Sequence, residues 1–104
     1  MALPLVNPEM NEHSTTTVVL AGELDIASAA EMRDALIEAN MVGARRIVVD
    51  MGAVTFLDST ALGILVGAHK RATARGATVA LRNVPPLVER VLAITGLAQL
   101  FATA

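Results

Sequence analysis

RIVVDMGAVTFLDSTALGILVGAHKRATARG, residues 46–76, contains the change of period that decides the fold. Arg46 to Met51 (RIVVDM) places Ile47, Val48 and Val49 in a row with no polar alternation, the pattern of a strand buried on both faces. Gly52 to Leu57 reads as a loop, and Asp50 as the residue that closes the strand. From Asp58 or Ser59 the apolar residues take up a helical period. Leu62, Leu65, Val66 and Ala72 form the buried side, and the helix runs to about Arg75 with Gly76 in the usual stop position.

The same alternation extends in both directions. Thr15 to Leu20 (TTTVVL) is rich in branched Cβ atoms that suit a pleated surface, and it ends at Ala21-Gly22. Thr78 to Leu81 (TVAL) is a third strand, and Gln99 to Phe101 a short fourth at the edge. Leu3 to Val6 adds a further strand, which Pro4 and Pro8 confine to an edge position. Between the first two strands, Ser28-Ala-Ala-Glu31 matches a capping box, in which the Ser hydroxyl accepts from the Glu31 amide and the Glu side chain reaches back. Met32, Ala35, Leu36 and Ala39 then form an apolar stripe, with Glu31, Asp34 and Glu38 on another face. A third helix starts at Pro85-Pro86, buries Leu87, Val88, Val91 and Leu92, and stops at Gly96. Strand–helix alternation at this spacing predicts an α/β fold: four to five strands in a largely parallel (mixed) sheet, packed against helices.

Composition narrows the class. The 104 residues are 54% hydrophobic and 17% charged, which suits one compact domain over 1–104 and excludes a disordered chain. The absence of Cys removes any disulfide framework or thiolate metal site and suits a reducing compartment. The longest apolar run, Ala61 to Ala68, is far below the ~18–20 residues that span a bilayer. The amino terminus, MALPLVNPEM, lacks the cationic start of a secretory signal. A net charge of -2 and the lack of Trp and Tyr give no footprint for nucleic acid. The expectation is a cytoplasmic domain with neither nucleic acid nor membrane among its partners.

Chemistry in such sheets gathers where strands hand over to helices, because free backbone amides point outward there. Asp58-Ser59-Thr60 sits at such a handover. Asp and Ser are both preferred N-caps, so one of the three is a cap. A cap needs a single polar side chain, which leaves two hydroxyls over. Ser59, Gly63 and Gly67 follow at i, i+4, i+8, in one row along the helix. Each interior Gly costs about 1 kcal/mol relative to Ala, a loss that makes sense if another surface approaches the backbone closely. That surface is either a neighbouring element of the same domain or a docking partner. Gly22-Glu23-Leu24-Asp25 is a turn whose Asp25, if parallel strands bring it beside residue 58, would orient the hydroxyls or touch a partner.

Other candidates are weaker. Asp25, Asp50 and Asp58 as a magnesium pocket would lack both a phosphate-cradling Gly-rich loop and a base. His13 and His69 are too few and too far apart for a metal motif, and His69 borders the core stripe. Lys70, Arg71 and Arg75 fall in the last turns of their helix, where cations complement its dipole. Phe56 and Phe101 read as core residues. No metal or other cofactor is expected.

GELD at 22–25, VVD at 48–50, FLDSTALGILVGAHK at 56–70 and ITGLAQLF at 94–101 together resemble a STAS domain. More narrowly, they resemble the bacterial anti-sigma factor antagonists of the SpoIIAA/RsbV type, along nearly the whole chain. The resemblance implies a regulator without chemistry of its own. Unphosphorylated, it would bind an anti-sigma factor that is itself a Ser/Thr protein kinase and so release the sigma factor. The kinase would phosphorylate Ser59, the hydroxyl residue directly after Asp58, and a phosphatase would restore it. The partner-binding residues this implies are Asp25, Asp58, Ser59, Thr60, Gly63 and Gly67. The family's Gly after the hydroxyl pair is Ala61 here, a change expected to narrow the choice of partner. Because STAS domains serve several roles, a non-switching accessory subunit of a transporter or lipid-transfer complex is the alternative.

Overall fold

The computed structural model describes residues 14–104 in full and, ahead of them, the backbone of 5–8. The elements in chain order are β1 (Leu5–Pro8), β2 (Thr15–Leu24), α1 (Ala29–Met41), β3 (Arg46–Leu57), α2 (Ser59–Ala74), β4 (Thr78–Arg82), α3 (Pro86–Thr95), a 3-10 turn (Ala98–Leu100) and β5 (Ala102–Thr103). The strands lie side by side in the order β1-β2-β3-β4-β5. β1 runs antiparallel to β2, and every later pairing is parallel.

This ordering follows from the connections. Each helix carries the chain across to the next parallel strand, always in the same direction. Crossovers of one hand that advance in one direction place their helices on one face of the sheet. The core agrees: Val18, Leu20, Ile47, Val49, Val79 and Leu81 pack with Leu36, Leu65, Val88 and Leu92 in one cluster that omits Val48 and Ala80 from the opposite face. Met32, Ala35, Leu36 and Ala39 are buried as their spacing predicts, with Glu31, Asp34 and Glu38 in solvent.

Several expectations need correction. β2 does not end at Ala21-Gly22: Gly22, at φ 76°, carries it on to Leu24. β3 likewise continues through the stretch read as a loop and ends at Leu57, so Asp50 lies inside the strand. Gly52 marks a bulge rather than a turn. The pairing passes from Val19↔Asp50 to Ala21↔Ala53 and from Gly22↔Val54 to Glu23↔Phe56, so β3 carries one extra residue in each interval. A Cβ at Gly52 would stand 3.2 Å from Asn83 Cβ and 3.3 Å from Asp50 Oδ1, which is why glycine sits there. The bulges change the burial period to three, with Met51, Val54 and Leu57 inside and Phe56 47% exposed, not in the core.

The remaining differences are local. Val66, Leu87 and Val91 are half-buried rather than buried. Gln99 belongs to the 3-10 turn, and the edge strand forms three residues later than Gln99, at Ala102. Phe101 is buried, as expected. The amino-terminal edge strand is Leu5–Pro8 rather than Leu3 to Val6, with Pro8 opposite Thr16, and Leu3 and Pro4 lie outside the described residues. No helix among the described residues is long and apolar enough to cross a membrane.

Candidate functional site

The carboxyl ends of β2 and β3 finish together. Leu24 stands opposite Leu57, and the Asp58 amide donates to the Leu24 carbonyl at 3.0 Å. The turn after β2, with Asp25, is thereby locked to the start of α2, with Ser59.

Asp58 is the N-cap. Its backbone is extended, at φ -102° and ψ -179°, and Oδ1 accepts from the Ala61 amide at 3.0 Å. Extended dihedrals place a cap side chain over the first turn, where short oxygens satisfy free amides. With that role taken, Ser59 and Thr60 are both exposed and neither hydroxyl has a hydrogen-bond partner among the described residues. Gly63 is exposed as well, and a Cβ built there would meet nothing within 4 Å among the described residues. Of the two explanations left open for the glycine row, packing by a neighbouring element of the same domain does not hold at Gly63 among the described residues. Gly67 is covered, but by the helix's own Arg71, whose Nη1 would lie 3.5 Å from an added Cβ.

Ala61, by contrast, is fully buried. Its methyl enters the core and meets no partner, so the expected narrowing of partner choice at this position has no geometric basis. The methyl stiffens the first turn of α2 instead, by about 0.5–1 kcal/mol relative to Gly.

Asp25 does not reach across to the hydroxyls by any hydrogen bond. Its Oδ1 accepts from the Ala27 and Ser28 amides at 3.0 and 3.2 Å. The capping box at Ser28 does not form, because Ser28 already has helical dihedrals and the turn starts earlier, at Asp25. The Ser28 hydroxyl accepts from the Asp25 amide at 3.0 Å and donates to the Glu23 carbonyl at 2.9 Å. Asp25 and Ser28 thus fasten the turn that stands beside α2. Glu23, Asp25, Glu31 and Thr55 border an open depression of about 440 Å³ in which residues 58–60 take no part.

Asp50 serves the sheet. It accepts from the Gly52 amide at 3.0 Å and from Asn83 Nδ2 at 3.3 Å, and Arg82 Nε lies 3.5 Å away. Chiefly the Gly52 amide, then Asn83 and Arg82, hold its carboxyl below the ordinary aspartate value, against the opposing effect of partial burial. Asp25, Asp50 and Asp58 are therefore each spent on nearby amides. No three His, Asp or Glu side chains among the described residues stand together as an ion site. His69 is half-buried with its ring edge-on to Phe101, centroids 5.7 Å apart, and His13 lies outside the described residues.

Known proteins share this fold. The profile of the family described as "Mlab, STAS domain" matches residues 9–102. A STAS-domain containing protein of Pseudomonas aeruginosa is 38% identical over 85 residues, which cover 82% of this chain and 83% of that protein. The anti-sigma-B factor antagonist of Bacillus subtilis is 34% identical over 92 residues, covering 88% of this chain and 83% of that protein. Among solved structures, the anti-sigma factor antagonist SpoIIAA in its unphosphorylated form superposes with a TM-score of 0.76 at 25% identity, covering 96% of this chain and 88% of that one. SpoIIAA of Bacillus in the phosphorylated form gives 0.70 at 25% identity, covering 96% and 91%. The chain belongs to the STAS-domain family. Within it, homology places the chain with the anti-sigma factor antagonists.

Proposed function

We propose that residues 1–104 act as one domain that binds an anti-sigma factor and is switched by phosphorylation at Ser59. Unmodified, the chain binds an anti-sigma factor that is a Ser/Thr protein kinase and so frees the sigma factor. Phosphorylation by that kinase ends binding, and a phosphatase acting on phospho-Ser59 restores it. Asp25, Asp58, Ser59, Thr60, Gly63 and Gly67 form the contact surface. No reaction is catalysed by the chain, which works in the cytoplasm with neither nucleic acid nor membrane as a partner.

The observation that carries this reading is the unoccupied hydroxyl of Ser59. It stands exposed at the first helical position beside a cap that is already filled, with bare backbone at Gly63 one turn on. That SpoIIAA has been solved in both unphosphorylated and phosphorylated forms supports a modification that leaves this fold in place.

The energetics agree. A phosphoryl group adds about -1.5 to -2 charges at pH 7. The helix amino terminus favours an anion by ~0.3–1 kcal/mol when exposed. Asp58 opposes it: a charge of about -1.5 to -2 beside one of -1, ~6 Å apart at an effective dielectric of ~40–80, costs about 1–3 kcal/mol, which screening by physiological salt roughly halves. The two effects largely offset each other within the domain, so the charge acts outward, on whatever must pack against α2.

Incubation with the cognate kinase and ATP, followed by intact-mass measurement, is expected to show one added phosphoryl group that Ser59→Ala loses. A pull-down with the unmodified chain is expected to retain the kinase, and one with Ser59→Glu to lose it. Equal retention by both would favour the non-switching accessory subunit, in which Ser59 and Thr60 have no switching role.

A further inference from the structure

Two large hydrophobic side chains close in sequence to the Asp58–Leu24 junction stand in solvent. Phe56 is 47% exposed and Ile26 78% exposed. The described residues expose three other large hydrophobics, Met41, Ile94 and Leu100, on α1, α3 and the 3-10 turn. Ile26 and Phe56 alone flank one junction. Each lies two residues from the hydrogen bond between the Asp58 amide and the Leu24 carbonyl, which ties the β2–α1 turn to the head of α2. Phe56 is presented by the second bulge of β3, opposite Glu23, so the extra residue that breaks the strand's alternation is also what delivers the ring to the surface.

We infer that Phe56 and Ile26 are the apolar anchors of the partner contact, taken up by a socket on the anti-sigma factor whose rim is cationic. This rests on the switching surface proposed above and names what supplies its affinity, since Ser59 itself is a small polar group. A few well-packed side chains near the centre of an interface, aromatic ones prominent among them, carry most of its binding energy. The charge around the anchors selects the occupant. Glu23, Asp25, Glu31 and Asp58 surround the junction, and no Lys or Arg occurs between residues 14 and 32 or between 47 and 69. A second copy presenting the same end would meet like charge, as would an anionic lipid surface. A protein surface with an apolar hollow bordered by Lys or Arg is complementary on both counts.

The test titrates the unmodified chain, Phe56→Ala, Ile26→Ala and the control Ile94→Ala with the cognate anti-sigma factor kinase in a calorimeter. Circular dichroism melts check that each variant folds. The expected result is that Phe56→Ala and Ile26→Ala each weaken binding by about tenfold or more, while Ile94→Ala stays within about twofold. Should Phe56→Ala disturb the sheet, Ile26→Ala carries the test alone, because its side chain leaves the turn for solvent. Normal binding by the unmodified chain with both anchor variants within about twofold overturns the inference and leaves the phosphorylation switch standing. Normal binding by Ser59→Glu, with weakened anchor variants, overturns the switch and leaves the anchors standing. Absence of kinase binding by the unmodified chain overturns both. Sedimentation showing a dimer that Phe56→Ala dissolves would assign the anchors to a second copy and overturn the inference as well.

Discussion

Asp58 and Ser59 are adjacent, similar in size, and opposite in what the fold asks of them. The Asp58 carboxylate accepts from the Ala61 amide, and its own amide joins α2 to β2. The Ser59 hydroxyl has no partner among the described residues. Replacement should separate the two roles. Asp58→Ala is expected to lower the unfolding free energy by about 1 kcal/mol, within the usual 0.5–2 for a lost N-cap. Asp58→Asn keeps the acceptor and should cost much less, and Ser59→Ala should stay within about ±0.5 kcal/mol. Urea denaturation of the three variants reads this directly. A loss at Ser59 as large as that at Asp58 would mean the serine is part of the cap.

β3 is the element in which sequence and structure differ most, and the reason is physical. Gly52 in an otherwise apolar stretch signals a chain reversal when only local propensity is weighed. Here the glycine lets β3 approach Asn83 while keeping its pairing with β2. The carboxylate of Asp50 secures the spot by accepting from the Gly52 amide on its own strand and from Asn83, which follows β4 in a left-handed conformation at φ 55°. Because Asp50 titrates below the ordinary 3.8 in the folded chain, its ionised form stabilises the native state. That contribution is complete above the unfolded value and disappears as pH falls through the folded one. The difference in unfolding free energy between the native chain and Asp50→Asn should therefore be constant from neutral pH to about pH 5. Below about pH 4 it should shrink, and its size should stay under about 1 kcal/mol for so open a pair. A gap that widens on acidification would contradict the assignment.

At the scale of the molecule, the order of elements was legible because each strand and helix announces its own period, and parallel strands joined by helices admit few arrangements. The handover at residues 58–60 was legible too, since three consecutive side-chain oxygens exceed what one cap can use. The choice of cap was not, because Asp and Ser serve almost equally well and only the extended dihedrals of Asp58 decide. Nor was the exposure of Phe56, which depends on two insertions visible only against the register of β2. The inward turn of the Ala61 methyl depends on where the helix starts. Since Ser59 is exposed and without a hydrogen-bond partner among the described residues, a charge introduced there should leave the whole unperturbed. Ser59→Asp is expected to shift the melting temperature by no more than a few degrees. Collapse of the thermal transition would instead make the modification a refolding event.

The empty space around Gly63 has a practical outcome. The chain contains no cysteine, so Gly63→Cys would create a single thiol on the exposed side of α2, where a Cβ meets no neighbour. One dye attached there would sit one turn from Ser59. On the contact surface proposed above, so bulky a group would fill the space a partner packs into, so alkylating the thiol should block docking that the free thiol permits.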